Sequence, residues 1–529
     1  MLSAPFVAID YILDSPSDAK KVAANRSHLV GMAVLQNGVA SYHDDDFAAV
    51  LAGFGDRPRL YYDARLALAV ELHNDLPSAP FDDVRAMLHL LQQPPPPALQ
   101  AATTSLARVH AIQAIAPQLL HRIDAEGLAR VYRDIELPVV IPTAVMLATG
   151  LRINRHVLRQ IHSNQWARTE RARRALVQYA GPRFNPDDNE AVQRLLYQDL
   201  GLPYMQETRH GNPATTKVAL AHLDPHPAVG LLREYRDAKP AVDSAKAVLD
   251  ALEGTVVRGN LDPLGTLTGR YSCSDPPLQA LDARVRKAIE AAPGCLLLEA
   301  DYSQMELRVL AHLSQDPALL HAFEHGIDLH IRTAARVLGI AEDSVNDQQR
   351  QLGKTLNFGI VYGQTALGLA TDLTMPLQRA QALLDAHAEA YPGVAAWIAR
   401  VHEHVANNGE VRTLYGRRRY LPNIFSASAN DVAEARRQAV NTIIQGTAAD
   451  LLKLSLIRLH TTLHEEVHML LPVHDSVLFQ VREPLVERTR QIVTDAMESL
   501  PEGFSVPLEV KLKTGKTWVD CKPVSAVTC

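Results

Sequence analysis

Two aspartates stand at the ends of apolar, strand-like stretches, where a charged side chain needs a partner or a task. Asp301 ends "CLLLEADYS", and Asp475 interrupts "LLPVHDSVLF". If both stretches join one sheet, the two carboxylates can converge, and they then repel each other unless a hard divalent cation binds between them. Two such cations can clamp the attacking and leaving oxygens of a phosphoryl transfer. Taken singly, each aspartate is as readily explained as the start of a turn.

A second set of side chains recurs at steps of four residues in "QRQLGKTLNFGIVYG", namely Arg350, Lys354, Phe358 and Tyr362. Successive steps of four drift by only about 40° around a helix, so the four side chains share one broad face. The two cations suit a triphosphate, and the two rings suit a base or a sugar. On spacing alone, an amphipathic helix with an aromatic core stripe is the stronger explanation.

The composition is that of a globular chain with several domains, because 47% of its 529 residues are hydrophobic and 21% are charged. No apolar run reaches the length of a membrane span, and the N-terminus lacks the basic flank of a signal or transit peptide. The cysteines lie too far apart for a CxxC metal pattern, which predicts reduced thiols and a cytoplasmic location. They are Cys273, Cys295, Cys521 and Cys529.

The net charge of −6 argues only weakly against a nucleic-acid partner. Phosphate binding needs a local basic surface rather than a basic whole. "YGRRRY" (415–420) is one local concentration of positive charge. A run of arginines is more often a solvated face than a phosphate site.

The order of predicted elements indicates two kinds of fold. "FVAID", "LVGMAVL" and "VASYH" predict strands, and helical patterns at 63–92 follow them, as in a small α/β unit. "QQPPPPALQ" (92–100) predicts a stiff linker or an external connection. The pattern is mostly helical over 104–252. Strands that carry the two acids then flank long helical stretches at 304–405 and 431–465, which predicts an α+β domain with inserted helices.

At these residues the sequence resembles the family A DNA polymerases, the DNA polymerase I type. Its motifs stand in the family's order over roughly 135–520, and such an ordered series is highly specific. Met305 stands where the family usually has isoleucine. The similar segments are "TGRYSCSDPPLQ" (268–279), "DYSQMELR" (301–308), "RQLGKTLNFGIVYG" (350–363), "GRRRYLP" (416–422), "RRQAVNTIIQGTAAD" (436–450) and "VHDS" (473–476).

The resemblance implies an α/β exonuclease-like domain followed by an α+β right hand of thumb, palm and fingers. The 5′-nuclease domain of longer family members is expected to be absent, because the first 130 residues are too short and wrongly patterned for it. The expected boundaries are 1–130 for the exonuclease-like domain, 131–255 for the thumb, 256–307 for the first part of the palm, 308–435 for the fingers and 436–529 for the second part of the palm.

The resemblance also implies a role for each motif residue. Asp301, Asp475 and the backbone carbonyl of Tyr302 would bind two Mg²⁺ ions. Arg350 and Lys354 would grip the triphosphate, and Lys354 could protonate the leaving group. The other expected nucleotide contacts are His330 at the phosphates, Phe358 and Tyr362 at the sugar and base, Gln304 nearby, and Glu306 as the residue that blocks a 2′-hydroxyl.

A third group is expected at the primer end and along the minor groove, where bases are told apart poorly and only the shape of a pair can be tested. Its members are Arg270, Arg437, Asn441, Gln445 and His474. Ser476 departs from the family, in which glutamate commonly follows the His-Asp pair. The segment between Gln279 and Asp301 is also shorter than usual, which affects the grip on DNA rather than the metal site.

The N-terminal unit resembles the family's 3′–5′ exonuclease domain faintly, and its acids are depleted. Ile12 stands where a glutamate is expected, Ala67 and Ala114 where aspartates are expected, and His110 where a tyrosine is expected. Asp10 and Asp82 remain, and two isolated acids are a poor site for two metals. The prediction is a degenerate domain kept for structure, without proofreading.

The function expected from the sequence is template-directed, primer-dependent DNA synthesis from dNTPs by a monomer that binds primer-template DNA and no membrane. A single-subunit RNA polymerase is a second hypothesis, which Glu306 and the "NFGIVYG" helix oppose. A catalytically dead DNA-binding scaffold is a third, which the intact Asp301, Asp475, Arg350 and Lys354 oppose. The host, bacterium or virus, and the choice between replication, repair and lesion bypass stay open.

Overall fold

The computed structural model describes residues 7–13, 29–36, 39–54, 56–204, 211–221, 223 and 226–523. The expectation about a signal or transit peptide depends on the first residues of the N-terminus, which lie outside these ranges. Cys529, one of the four cysteines expected to be reduced, and the side chain of Ile12 also lie outside them. No helix in the described part of the chain is long and apolar enough to cross a membrane.

The N-terminal unit is built on a five-stranded sheet in the order β3-β2-β1-β4-β5. β1 pairs antiparallel with β2 and parallel with β4, as in a mixed α/β sheet. The three predicted strands are present, but β4 and β5 were missed because strands of three residues show no periodicity. The elements are β1 (Val7–Leu13), β2 (Leu29–Gln36), β3 (Val39–His43), α1 (Phe47–Ala52), β4 (Arg59–Tyr61), α2 (Ala64–His73), β5 (Phe81–Asp83) and α3 (Val84–Leu90).

The proline-rich segment does not behave as a free linker. Gln92 donates a hydrogen bond to the Arg418 carbonyl at 2.6 Å and accepts one from the Tyr420 amide at 3.1 Å. Proline begins the short helix α4 (Pro97–Gln100), in which Leu99 is buried. Five of the nine residues of 92–100 are exposed, as expected of an external connection, and Gln92 anchors the start of the segment to a distant hairpin.

The next part of the chain is helical, as predicted. The two long helices α8 and α11 pack against each other, and a separate small core that includes Leu176 and Leu196 lies towards one end of this pair. The helices are α5 (Ser105–Ala125), α6 (Ala129–Val131) with a π-helical continuation (Tyr132–Glu136), α7 (Val140–Thr149), α8 (Arg155–Ala180), α9 (Asn189–Gln193) with a π-helical continuation (Arg194–Asp199), α10 (Lys217–Ala221) and α11 (Pro227–Asp250). The short strands are β6 (Leu151–Arg152), β7 (Leu252–Glu253), β8 (Val256–Val257), β9 (Asn260–Asp262) and β10 (Ser272–Ser274).

A second five-stranded sheet, in the order β14-β15-β11-β16-β17, carries the two acids. β11 pairs antiparallel with both β15 and β16, so it is the central strand. The prediction that both acid-bearing stretches join one sheet is confirmed. The strands are β11 (Cys295–Tyr302), β14 (Val467–Val473), β15 (Ser476–Arg482), β16 (Val510–Gly515) and β17 (Lys522–Pro523), and the helix α20 (Val486–Glu498) precedes β16.

Between β11 and β14 the chain inserts mainly helices, again as predicted. One hairpin (β12, Glu410–Arg412; β13, Arg418–Tyr420) interrupts them. The helices are α12 (Met305–Ser314), α13 (Pro317–Glu324), α14 (Leu329–Leu338), α15 (Asp347–Val361), α16 (Ala366–Asp372), α17 (Leu377–Ala390), α18 (Pro392–Asn408) and the long α19 (Ala429–Thr462).

Candidate active site

The register of the central sheet brings Asp301 and Asp475 together. Asp301 lies at the end of β11 directly opposite Ser476, the first residue of β15. His474 and Asp475 form the tight turn between β14 and β15, and His474 adopts a left-handed φ of 55°. The Tyr302 amide donates to the Asp475 carbonyl at 3.2 Å, which ties the turn to the end of β11.

Both carboxylates are partly buried, and their charges are not neutralised. Burial raises the pKa of Asp301; Lys513 opposes the shift, while Glu299 and Asp475 add to it. Burial also raises the pKa of Asp475, against the attraction of Arg270 and His474. Within the described ranges, no hydrogen bond or ion pair reaches either side-chain carboxylate.

This donor set fits a hard divalent cation. No group of three or more histidine, cysteine or acidic side chains suited to a metal occurs among the described residues, so two carboxylates are the charged ligands available here. Mg²⁺ typically binds through one or two carboxylates and completes its shell with water and substrate phosphates. Two carboxylates with raised pKa values and no direct ion-pair partner among the described residues can serve as the protein's share of such a site.

Ser476 is engaged within the turn. Its hydroxyl donates to the Val473 carbonyl at 3.0 Å, and the residue is 8% exposed. The local hydrogen bond explains why serine suits this position, because it satisfies a backbone acceptor at a tight turn.

Helix α15 presents its four singled-out side chains on the accessible side. Its start is fixed by a capping box, in which the side chains of Asn346 and Gln349 bond each other's backbone amides. The opposite face is buried and contains Gly353, Leu356 and Asn357. The alternative of an aromatic core stripe was therefore wrong. Arg350 and Phe358 are partly exposed, whereas Lys354 and Tyr362, the residue that follows the helix, are exposed.

Neighbouring side chains define the two ends of this accessible face. The Arg350 Nε donates to Asp328 Oδ2 at 2.9 Å, next to the start of α14. The His330 ring lies 5.9 Å from the ring of Phe358, and its Nε2 lies 3.4 Å from Gln304 Nε2. Burial, together with Arg350 and Lys354, lowers the pKa of His330 to about 4, so this histidine is neutral at physiological pH.

Glu306 is buried beneath Arg270 and Tyr362. Arg270 forms an ion pair with Glu306, which is only 4% exposed. Burial raises the pKa of Glu306, while Arg270 lowers it. Burial and the adjacent Glu306 carboxylate raise the pKa of the Tyr362 hydroxyl. The structure therefore brings together the segments 268–279 and 301–308 and the end of α15.

The remaining expected DNA contacts lie along α19 and at the turn. Arg437 pairs with Glu434 and lies against Gly363, where an added Cβ would be 3.0 Å from the Arg437 Cγ. Asn441 is partly exposed and Gln445 is buried one turn further on. His474 is exposed beside Asp475. Arg437 thus lies next to the end of α15, whereas His474 lies next to the acids.

A buried ionic cluster behind this site was not predicted. Arg417 pairs with both Glu136 and Asp450, and Lys453 donates to Glu136 at 2.7 Å; all four residues are at most 2% exposed. The interpretation of "YGRRRY" as a solvated face was wrong, because Arg417 and Arg418 are buried. Arg417 could have been suspected from the arginine run, but Glu136 and Lys453 lie in ordinary helical patterns that give no signal.

The depleted acids of the N-terminal unit are held by other partners. Arg108 from α5 donates to both carboxylate oxygens of Asp10 at 3.2 and 3.3 Å. The Tyr132 hydroxyl donates to Asp82 at 2.8 Å. These contacts occupy Asp10 and Asp82, the two acids that remain at the positions expected for an exonuclease site.

Comparisons with known proteins agree with this arrangement. The family model for DNA polymerase family A matches residues 155–520. The thermostable DNA polymerase I of Thermus aquaticus is 35% identical over 410 residues, which cover 75% of this chain and 49% of that protein. The DNA polymerase I of Pseudomonas aeruginosa is 35% identical over 407 residues, which cover 74% of this chain and 44% of that protein. The chain thus spans about half the length of these curated relatives.

A solved structure of the POL domain of Pol1 from M. smegmatis, in complex with DNA primer-template and dNTP, superposes with a TM-score of 0.88 at 26% identity. The match covers 98% of this chain and 96% of that one. The right-hand fold implied by the motifs is therefore confirmed. With the acid pair, the cationic and aromatic helix and these matches together, the chain belongs to DNA polymerase family A.

Proposed function

We propose that this chain is a template-directed, primer-dependent DNA polymerase that transfers a dNMP unit from a dNTP to a primer 3′-hydroxyl. The observation that carries the proposal is the convergence of two unneutralised carboxylates, Asp301 and Asp475, beside a helix face with two cations and two aromatic rings. The relatives are named DNA polymerase I, and the similar solved structure contains primer-template and dNTP, which supports the same substrates here.

Family A polymerases are metal-dependent, and the proposed ligands in this chain are Asp301, Asp475 and the Tyr302 carbonyl. Two Mg²⁺ ions bound there would lower the pKa of the primer hydroxyl and stabilise the pyrophosphate that leaves. Asp301 lies near the end of the central strand β11, and Asp475 lies in the β14–β15 turn, which the Tyr302 amide ties to β11, so the fold places the two carboxylates near each other without substrate.

The accessible face of α15 binds the nucleotide in this proposal. Arg350 and Lys354 bind the triphosphate, and Lys354 delivers a proton to the leaving pyrophosphate. His330 donates a hydrogen bond to a phosphate oxygen, and Gln304 lies beside it. Phe358 and Tyr362 pack on the sugar and base.

Deoxynucleotide selection is assigned to Glu306. Its carboxylate is held by Arg270 and lies beside Tyr362, so a 2′-hydroxyl would meet a buried, fixed side chain. The proposed discrimination is steric, because a 2′-hydroxyl would have to displace a buried carboxylate that Arg270 holds in place. Arg270, Arg437, Asn441, Gln445 and His474 are proposed to contact the primer end, the template and the minor groove.

The N-terminal unit is proposed to lack proofreading activity. Asp10 is engaged by Arg108 and Asp82 by Tyr132, and neither acid belongs to a potential metal cluster in the described part of the chain. The proposed division is an exonuclease-like domain (1–130), a thumb (131–255), a palm (256–307 and 436–529) and fingers (308–435). The bacterial relatives support a cytoplasmic location, and we expect a monomer.

Primer extension with end-labelled DNA, Mg²⁺ and dNTPs tests the proposal. We expect extension of the primer, no release of nucleotides from a labelled 3′ end when dNTPs are withheld, and no extension by Asp301→Ala. Binding of primed DNA without incorporation would establish a scaffold instead. Synthesis from rNTPs without a primer would establish an RNA polymerase.

A further inference from the structure

The buried side of α15 carries an amide whose hydrogen bonds are all satisfied by side chains and backbone of the surrounding helices. Asn357 is 3% exposed. Its Oδ1 accepts from the Thr333 hydroxyl at 2.9 Å and lies 3.4 Å from His387 Nε2. Its Nδ2 lies 3.4 Å from the Leu329 carbonyl and 3.2 Å from His330 Nδ1.

The orientation of this amide is determined by its neighbours. The Leu329 carbonyl can only accept, so the NH₂ group must face it. On the other side of the amide, the Tyr391 hydroxyl lies 2.8 Å from the Thr333 hydroxyl and can donate a hydrogen bond to it. With Tyr391 donating to Thr333 and Thr333 donating to Asn357 Oδ1, each group in the chain makes the bond its chemistry allows.

The fixed amide in turn fixes the protonation of His330. An NH₂ group 3.2 Å from His330 Nδ1 requires a lone pair on that nitrogen. A neutral imidazole with a bare Nδ1 carries its proton on Nε2. Nε2 is the nitrogen on the side of Gln304, whose amide oxygen can accept this proton after half a turn of the amide. Among the charged groups, Asp328, Arg350 and Lys354 act on this ring, and His387 contacts the same amide.

We propose that Asn357 is a positioning residue that holds His330 as the neutral Nε2–H tautomer, so that His330 presents a hydrogen-bond donor to the triphosphate. This inference rests on the proposed polymerase function for its substrate, but the tautomer is a property of the free protein. The opposite tautomer would present a lone pair to a phosphate oxygen and repel it. A pre-oriented neutral donor complements the two cations, Arg350 and Lys354, without adding a third buried charge.

The close packing of the two helices keeps this geometry in place. A Cβ at Gly353 would lie 2.1 Å from the His330 carbonyl oxygen, so α14 and α15 approach each other at the very residue whose ring is being oriented. The amide and the imidazole therefore belong to one rigid pair of helices.

Nitrogen NMR of the whole protein labelled with ¹⁵N-histidine, without nucleotide, tests the tautomer directly. His330→Gln identifies the resonances by their disappearance. In the wild type we expect a protonated Nε2 and a bare Nδ1. We expect the same in Thr333→Val, which removes a bond to Oδ1 but leaves the contact with Leu329. In Asn357→Asp, whose carboxylate can only accept when ionised, we expect a proton on Nδ1. A protonated Nδ1 in the wild type overturns the proposal, and so does a bare Nδ1 in Asn357→Asp at a pH at which the new carboxylate is ionised.

A kinetic double-mutant cycle tests the link to the nucleotide. We expect Asn357→Asp to raise the KM for dNTP by about tenfold and to lower kcat by less than that. In a His330→Gln background, where no tautomer exists, the same change should add less than about twofold, because coupled residues act non-additively. Additive effects would show that Asn357 acts by another route. Absence of polymerase activity in the wild type would refute the proposed function, while the NMR result would still decide the tautomer.

Discussion

At the scale of single residues, the candidate site contains two partly buried carboxylates that form no ion pair with a described side chain. Burial raises the pKa of both Asp301 and Asp475, which means that ionised carboxylates at these positions oppose folding. Two of the basic groups near them pair with other acids, Arg270 with Glu306 and Lys513 with Glu299, while Lys511 lies opposite Asp301 across the β11–β16 pairing. Such unrelieved charge is typical of a binding site rather than of a structural ion pair.

Asp475→Asn should separate activity from stability. We expect the rate of primer extension to fall by at least about a thousandfold, because a charged metal ligand is lost. The melting temperature without metal should be unchanged or higher, because a buried, uncompensated charge is removed. Glu465→Gln, an exposed change before β14, is the matched control and should alter neither. An Asp475→Asn protein with the wild-type rate would contradict the metal assignment.

Ser476→Ala should have a small effect on catalysis. The serine hydroxyl bonds the Val473 carbonyl within the turn, so its loss is expected to cost about 1 kcal/mol of the free energy of unfolding. The rate of primer extension should stay within about threefold of the wild type, since neither carboxylate bonds this hydroxyl. Denaturant unfolding measures the change in stability, and single-turnover primer extension measures the change in rate. A large loss of rate with unchanged stability would give Ser476 a direct role in the reaction.

At the scale of elements, the two faces of α15 differ in burial and in residue type. Its accessible face holds the cations and aromatic rings, and its buried face, with Gly353 and Asn357, is packed against α14. The absence of a side chain at Gly353 allows the His330 carbonyl to approach, which sets the distance between the two helices. The proposed binding of nucleotide by α15 would therefore depend on residues of its buried face as well as on those of its accessible face.

Gly353→Ala should disrupt this pairing. The added Cβ would lie 2.1 Å from the His330 carbonyl oxygen and 3.0 Å from the Ala334 amide, both backbone atoms, so the helices must separate. We expect a loss of about 1–3 kcal/mol in the free energy of unfolding and a raised KM for dNTP. Gly368→Ala in α16 is the control, because its Cβ would meet only side-chain atoms at 3.4 Å or more. Equal stability of the two variants would refute the close-packing argument.

At the scale of the whole molecule, the N-terminal unit is bound to the segment that leads to Arg270. Arg85 forms an ion pair with Asp262 of β9, and Arg65 donates to the Leu261 carbonyl. His89 Nε2 lies 3.2 Å from the Thr266 carbonyl. Although burial works to raise it, the pairing with Arg85 lowers the pKa of Asp262 to about 2. A unit without exonuclease activity would thus still hold in place the segment before Arg270, a residue proposed to contact DNA.

Arg85→Ala should weaken this support. We expect lower thermal stability and a raised KM for primer-template, whereas Arg57→Ala, an exposed change in the same unit, should leave both unchanged. Because the folded pKa of Asp262 is depressed, its stabilising contribution is present above its unfolded value of about 4 and is lost as pH falls towards about 2. This component should be smaller in the acid unfolding of Arg85→Ala, in which only Arg65 and the Leu264 amide still lower the pKa of Asp262. If Arg85→Ala unfolded in acid as the wild type does, the stabilising role given to the Arg85–Asp262 ion pair would be contradicted.

What the sequence alone determined is local. Asp301 and Asp475 were recognisable because each interrupts or ends an apolar strand, and the face of Arg350, Lys354, Phe358 and Tyr362 followed from helical periodicity. These features depend on residue type and on spacing over a few turns, which a linear chain displays directly. The family was indicated differently, by the resemblance of a series of motifs that stand in the family's order over roughly 135–520.

Only the tertiary structure decided which side chains meet. Nothing in the spacing shows that Arg417 is buried between Glu136 and Asp450, or that the proline-rich segment bonds the β12–β13 hairpin. The orientation of Asn357 likewise depends on a carbonyl in another helix. Contacts between residues far apart in the chain are chosen by packing, by the cost of burying an unpaired charge and by the requirement that every buried polar group find a partner, and these conditions exist only once the chain has folded.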